Sequence, residues 1–478
     1  MVPEGLRGIG WVAGANWGVQ AIRIATLTVL AGALTPKTFG IFAFALAIFT
    51  VAQAIAGLGL SDALVVRPNL ARRTVATALA LAAASGIAWM AIFAAGLATM
   101  RALNPQLGEL AILGAMIPGV LLANLANVAL AIPRRKKAFP ALAMAILVGE
   151  AAGSAVGIAL ALNGHGIDSL VYRYLATSAV MAAVGLWLVR SHAALPAGGE
   201  VRELFALGWP VAGSETLAAL RNRGDEMLIG LLFGAGVLGV YAIARRYVDA
   251  LRSALPAVIG DHAWPVLASL RDDPRAFARQ LRQAQLLVAG FVWPAFVALG
   301  VLAYLWVSGV LGPDWTRAVP VVCTLALVAL IQSAMAIPVL AVVGLGHTAV
   351  RLRLDAVVTA VTLSAIVALS PLGLIGFLIA LIGASIVTLP YQWQRIVPLL
   401  PVASRELLAP LAFPLGVNLA VAAMLVLLVT FATPFAGWVA TISAGAAVTA
   451  LVPLSVGVLR RREAAQPRQN RDSRCPPP

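Results

Sequence analysis

Apolar runs of about 20 residues, separated by short breaks carrying charge, Pro or Gly, recur along almost the whole chain. At 1.5 Å of rise per residue such a run crosses a hydrocarbon layer about 30 Å thick, so each predicts a membrane-spanning helix. The first six fall near 8–33, 39–62, 74–100, 109–132, 138–162 and 167–189. A polar segment, "RSHAALPAGGEVRE" at 190–203, follows. Later spans fall near 284–309, 317–344, 350–369, 373–394, 407–431 and 435–459, and the chain closes on the basic, Pro-rich "RRREAAQPRQNRDSRCPPP". No inter-span segment is long enough to bury a core of its own.

Residues 207–260 divide in two ways. Treating "RNRGDE" (221–226) as a loop leaves a helix of 207–220, about 21 Å long and too short to cross. Running one span over 207–235, breaking at "GVLG" (236–239) and running the next over 238–258 gives two helices of adequate length. The second division puts a dense charge patch mid-membrane. An internal repeat supports it. "TVLAGALTPKTFGIFAFA" (28–45) resembles "GLLFGAGVLGVYAIA" (230–244) once the turn is gapped, with Gly32-Ala33 on Gly234-Ala235 and Gly40-Ile41-Phe42-Ala43 on Gly239-Val240-Tyr241-Ala242. Arg23 then falls on Asp225. Paired repeats of this kind are the usual plan of secondary transporters. The total is about fourteen spans, an all-α polytopic chain with both termini on one side.

Composition agrees. The 478 residues are 61% hydrophobic and 11% charged, against about 25% charged in soluble proteins. Mean hydropathy is +0.94. A net charge of +15 raises the question of nucleic acid. Its placement answers that question: 24 of the 34 basic residues lie in segments on one side, including "RPNLARR" (67–73) and "PRRKK" (133–137). The other side holds Lys37, Arg101 and Arg317. By the positive-inside rule both termini face the cytoplasm, and nucleic acid is not an expected partner. The amino-terminal segment lacks a cleavable signal pattern. Cys323 and Cys475 suggest no disulfide, and His165, His192, His262 and His347 lack ligand spacing, so no metal or cofactor is expected.

The remaining seven arginines (Arg23, Arg173, Arg221, Arg223, Arg245, Arg246, Arg252) share the spans with Glu150, Glu215, Asp225, Glu226 and Asp249. Each would cost roughly 2.5–3.5 kcal/mol in lipid, so they must face one another or water. Arg252 and Arg173 lie near enough to span ends to snorkel. Arg245 and Asp249, four apart, form a helix-surface ion pair. Arg23, Arg221, Arg223 and Arg245 read as cavity-lining, an excess of guanidinium that suits the oxygens of an anionic phosphate. Arg246 stands beside them. Glu150, in "ILVGEAAGSAVG", reads either as a titrating group for a coupling ion or as an interhelical salt bridge; Glu215, Asp225 and Glu226 are the further acids available for pairing or ion coupling. The segment 261–283 is amphipathic, with Trp264, Leu267, Leu270, Phe277 and Leu281 against Arg271, Arg275, Arg279 and Arg282, and is expected to lie on the inner leaflet. Pro210, Pro294, Pro338 and Gly224 offer kinks.

"ALTPKTFGIFAFALAIFTVAQAIAGLGLSDALV" (33–65) resembles the opening signature of the polysaccharide transporter family, the Wzx-like oligosaccharide flippases of the superfamily that includes the MATE exporters and lipid II flippases. "DEMLIGLLFGAGVLGVYAIARR" (225–246), "WPVLASLRDD" (264–273) and "GPDWTRAVPV" (312–321) resemble its second-half signature. The resemblance implies two pseudo-symmetric six-helix lobes, 1–190 and 204–397, joined by a cytoplasmic linker at 191–203. Helices 13 and 14 (398–459) and a cytoplasmic tail (460–478) would follow. It implies a non-enzymatic flippase of the bacterial inner membrane that carries an undecaprenyl-pyrophosphate-linked oligosaccharide outward by alternating access. Its pyrophosphate would meet Arg23, Arg221, Arg223 and Arg245; membrane lipids and polysaccharide polymerase or assembly proteins would be its other partners. The alternatives are a MATE-type drug exporter, which would favour acids over Arg23 near helix 1, and a membrane glycan polymerase or glycosyltransferase, which would need a large outer loop or a metal-binding acidic motif.

Overall fold

The computed structural model describes residues 4–254 and 270–420, apart from 68–69, 104–110, 193, 271–272, 346 and scattered positions between 403 and 419. Helices predicted at 407–431 and 435–459 and the basic tail fall largely or wholly outside these residues, as does the amino-terminal stretch of the amphipathic segment. The described chain is helical throughout: α1 (Glu4–Ala33), α2 (Pro36–Ala56), α3 (Leu60–Val66), α4 (Arg72–Leu103), α5 (Ala111–Met116), α6 (Pro118–Arg135), α7 (Phe139–Leu162), α8 (Asp168–Val189) and α9 (Gly198–Ala254) come first. Then follow α10 (Pro274–Leu287), α11 (Trp293–Trp306), α12 (Ala318–Gly344), α13 (Thr348–Leu369) and α14 (Gly373–Ile396). Among the described residues nine helical runs are long and apolar enough to cross a membrane. Large apolar side chains such as Ile87, Ile92, Leu231 and Val387 stand exposed on them, the surface of a protein solvated by lipid. The protein is an all-α polytopic membrane protein.

α9 settles the division of residues 207–260. It runs through the charge patch without a loop and leaves helical geometry only at Gly234 (φ 80°, ψ 174°), a backbone state open to glycine and strained for other residues. The break therefore falls two residues before the predicted "GVLG". The two halves of α9 form a hairpin folded at that glycine.

The chain divides into two compact units. The first comprises 1–250, 306–321 and 366–377. At its Lys/Arg-rich end, Leu60, Leu64, Val75, Ala78, Ile132 and Leu204 from α3, α4, α6 and the start of α9 make a fully buried core. That end is pinned by polar contacts. Arg67 donates to Glu200 and, at 2.6 Å, to Glu203, while Thr74 donates to Glu200 at 3.0 Å. Arg135 donates to the carbonyls of Leu64, Val65 and Arg67, which lie in the last turn of α3 and just beyond it. At the opposite end Thr35 caps α2 by accepting from the Thr38 amide, and Trp315 donates from Nε1 to the Ala31 carbonyl at 2.8 Å.

The second unit comprises 251–305, 322–365 and 378–478. Here α10 passes through a π-helical turn (Val288–Val292) straight into α11. Asn418 donates to the Ala289 carbonyl within that turn at 3.4 Å, and Trp293 donates to Ser333 at 3.0 Å. The described part of the amphipathic segment, α10, departs from its expected place. Phe277 and Leu281, the apolar stripe of α10, are fully buried inside the protein, so the apolar face is covered by protein and not laid on lipid. Arg275, Arg279 and Arg282 occupy the exposed face.

Candidate functional site

The site begins with a stripe of glycines. Gly149, Gly153 and Gly157 recur every fourth residue on one face of α7, and α8 lies directly on them. A Cβ on Gly153 would stand 1.9 Å from Thr177 Oγ1, and one on Gly157 2.9 Å from Arg173 Cβ. Small residues at this spacing let two helices approach backbone to backbone within a membrane. The approach lays the aliphatic stem of Arg173 along α7 and brings its guanidinium to Glu150, midway along that helix. Arg173 Nη2 donates to Glu150 Oε1 at 2.5 Å, and Arg23 Nη2, from α1, donates to Oε2 at 3.2 Å. Glu150 is 4% exposed, whereas the Arg23 side chain is half exposed. Of the two readings left open for Glu150, the structure shows the interhelical salt bridge, and it has two arms. Arg173 does not snorkel; it is a buried partner of Glu150.

The second half of the site belongs to the α9 hairpin. Folding at Gly234 sets residues near 225 against residues near 245. Asp225 accepts from both Arg245 Nη1 and the Tyr241 hydroxyl. Arg245 Nη2 donates to the Asn222 carbonyl at 2.7 Å, and its Nε to Asp249 at 3.3 Å. Arg245, read as cavity-lining, is thus saturated by its own hairpin and acts as a staple between the two halves. Its pairing with Asp249 is as the spacing implies. Arg223 Nη1 donates to the buried Glu226 at 2.8 Å, one helical turn away.

Arg246 joins the two halves. It lies within electrostatic reach of Glu226, Arg23, Arg173 and Arg223, yet among the described residues it has no carboxylate at salt-bridge distance. Asp225, the repeat counterpart of Arg23, pairs with Arg245 and not with Arg23. The cluster therefore sets five arginines (Arg23, Arg173, Arg223, Arg245, Arg246) against four carboxylates (Glu150, Asp225, Glu226, Asp249). Most of its charge is internally neutralised, and the surplus lies at Arg246 and the half-exposed Arg23. Two residues named from the sequence stand at exposed positions. Arg221 is on an exposed position of α9. Glu215, about 15 Å along the helix from Asp225, is exposed and sits near Asp62 and Arg134 at the Lys/Arg-rich end.

Close backbone contacts stand at both ends of the helices that carry the cluster. A Cβ on Gly40 would lie 1.6 Å from the Ala235 carbonyl oxygen, and one on Gly239 1.7 Å from that of Pro36. The contact is reciprocal, Pro36 and Gly40 against Ala235 and Gly239. Near the other end, a Cβ on Gly59 would lie 2.1 Å from the Gly208 carbonyl oxygen. Among the described residues no group of three or more His, Cys, Asp or Glu is arranged to hold a metal ion.

A family described as "Polysaccharide biosynthesis protein" matches residues 29–320, more than half of the chain. The succinoglycan biosynthesis transport protein ExoT of Rhizobium meliloti (strain 1021) is 26% identical over 329 residues, 67% of this chain and 65% of ExoT. The probable flippase AglR of Haloferax volcanii is 28% identical over 145 residues, 29% of each chain. The chain thus spans somewhat less than two thirds of the length of ExoT and far less of AglR. In fold it is similar to the lipid II flippase MurJ in an inward closed conformation, with a TM-score of 0.72 at 12% identity over 95% of this chain and 99% of the other. An inward-facing multidrug resistance MATE family transporter follows at a TM-score of 0.61 and 17% identity, over 80% of this chain and 95% of that one.

Proposed function

Since the chain belongs to the polysaccharide biosynthesis protein family, we propose that it is a flippase that carries an oligosaccharide linked to a lipid pyrophosphate across a bacterial plasma membrane. It acts as a transporter and not as an enzyme. The observation that carries the cargo assignment is the Arg246 guanidinium, without a salt-bridging carboxylate among the described residues and within electrostatic reach of Glu226, Arg173, Arg223 and Arg23. Planar, permanently charged donors with spare capacity inside a membrane suit a phosphate diester or pyrophosphate. Arg173 replaces Arg245 in the set read from the sequence, because Arg245 is engaged within the α9 hairpin. Glu150 and Glu226 hold the arginines when no cargo is bound. In this reading both termini and the Lys/Arg-rich end face the cytoplasm, and the polymerase that consumes the cargo acts on the far side.

Energetics support outward movement. Two net negative charges carried out of an inside-negative cell gain roughly 4.6 kcal/mol per 100 mV, so the membrane potential helps drive the outward step. A MATE-type drug exporter, the second reading, shares the fold but would present an acidic cavity to cationic drugs, the opposite of the surplus at Arg246.

The test is genetic. Arg246→Ala and Arg23→Ala, introduced in the native host and verified to insert at wild-type levels, should each lower surface glycan while intermediates accumulate inside. Undiminished glycan in both variants would refute the assignment.

A further inference from the structure

A second cationic group lies at the Lys/Arg-rich end, outside the cluster of the α1, α7, α8 and α9 helices. The turn after α6 meets the short 3-10 turn Arg190–His192 that ends α8, and α4, which begins at Arg72, packs against that 3-10 turn. Lys136 Nζ lies 3.4 Å from His192 Nε2, and Ser191 Oγ lies 3.1 Å from His192 Nδ1. The charged groups acting on His192 are Lys136 and Arg72, both cations.

Three other basic residues of this end have structural work. Arg67 binds Glu200 and Glu203, Arg134 faces Asp62 at 3.9 Å, and Arg135 caps carbonyls near the end of α3. The two linker carboxylates nearest α4 are therefore occupied. Among the described residues neither Lys136 nor Arg72 has a carboxylate at salt-bridge distance. Lys136 Nζ instead stands within hydrogen-bond reach of the His192 Nε2 ring nitrogen. Two cations, Arg72 and Lys136, brought to one imidazole with no carboxylate at salt-bridge distance are held at an electrostatic cost unless an anion joins them.

Depth identifies the anion. Trp187, 58% exposed, stands near the end of α8, and the Arg190 guanidinium stacks on its ring at 4.4 Å. Exposed Trp with a snorkelling Arg marks the membrane–water interface, and His192 lies just beyond it, at headgroup level. We propose that Arg72, Lys136 and His192 form a binding site for the phosphate of an anionic lipid at headgroup depth on the basic end of the protein. Its ligand is either a bulk anionic phospholipid or the pyrophosphate of the cargo lipid before it enters. The site itself is independent of the transport reading; only the second source rests on it.

The chain has four histidines, so selective histidine labelling gives few NMR signals, and that of His192 is assigned with His192→Asn. Phosphatidylglycerol raised stepwise in phosphatidylcholine nanodiscs should shift the His192 signal and saturate. Lys136→Gln and Arg72→Gln should each weaken the response roughly fivefold, the factor that about 1 kcal/mol per basic side chain near a membrane surface corresponds to. Lys137→Gln, the adjacent residue outside the trio, should leave it unchanged and controls for insertion and for general attraction. In a parallel arm, undecaprenyl pyrophosphate is added to phosphatidylcholine nanodiscs. Saturation there but not with phosphatidylglycerol names the cargo lipid as the ligand, and the reverse names the bulk leaflet without bearing on the flippase. No shift in either arm, a response that never saturates, or equal weakening by Lys137→Gln would overturn the site.

Discussion

Replacing Glu150 with Gln removes one negative charge from between two arginines and changes little in shape. The two arms are not equivalent. Arg173 is four-fifths buried and bonded at 2.5 Å, so without its partner it becomes an uncompensated charge in a poorly solvated place. Removing one member of a buried pair costs about 3–5 kcal/mol. Arg23 is half exposed and bonded at 3.2 Å, and solvent screening limits its share to about 0–1 kcal/mol. Glu150→Gln should therefore destabilise by about 3–5 kcal/mol, almost all of it through Arg173. Equilibrium unfolding by denaturing detergent in bicelles, followed by circular dichroism, measures the difference. Adding Arg173→Gln to Glu150→Gln should restore most of the loss, because no buried charge is then left unpaired. Adding Arg23→Gln should restore little. Wild-type stability of Glu150→Gln, or equal rescue by the two arginine variants, would refute this division of the pair.

Other consequences follow from the same contacts. Gly239→Ala places a methyl 1.7 Å from the Pro36 carbonyl oxygen and must push the two backbones apart, so it should cost about 1–3 kcal/mol in the same assay. Gly236→Ala, three residues away with nothing within 4 Å, should be neutral or slightly stabilising. Tyr241→Phe deletes a buried hydroxyl that donates to the Asp225 carboxylate and should cost about 1.5–3 kcal/mol while leaving glycan export intact, because the Asp225–Arg245 staple remains. Gly234→Ala forces a side chain into φ 80° and should cost about 1 kcal/mol or more, read as a lowered unfolding midpoint.

Much of this was legible in the sequence, for identifiable reasons. Among the described residues most spans followed from run length, although the run at 39–62 breaks between Ala56 and Leu60, and the continuity of α9 through "RNRGDE" followed from the minimum length of a crossing helix. The alignment of Gly40 with Gly239 proved physical, since those two glycines pack against each other. Other features were hidden because they depend on which helix face meets which neighbour. Arg173 lies near a span end, which favours snorkelling on counting alone. The Gly149, Gly153 and Gly157 stripe was the signal that α8 sits close enough to turn Arg173 inward. Arg245 looked available for cargo because its partner Asp225 is 20 residues away and meets it only across the hairpin. Glu215 shares a helix with the cluster but stands well away along it. The amphipathic pattern of α10 was correct, yet a buried stripe in the sequence does not say whether lipid or protein buries it.

Reconstitution addresses transport itself. Purified protein in liposomes carrying a fluorescent oligosaccharide on undecaprenyl pyrophosphate can be followed by quencher accessibility, with an inside-negative potential imposed by a potassium gradient. Protein with its native residues should move the lipid between leaflets faster as the potential grows, and Arg23→Gln with Arg246→Gln together should abolish that movement without unfolding the protein. Movement undiminished in the double variant, or none with the native residues, would contradict a pyrophosphate-carrying flippase built on this cluster.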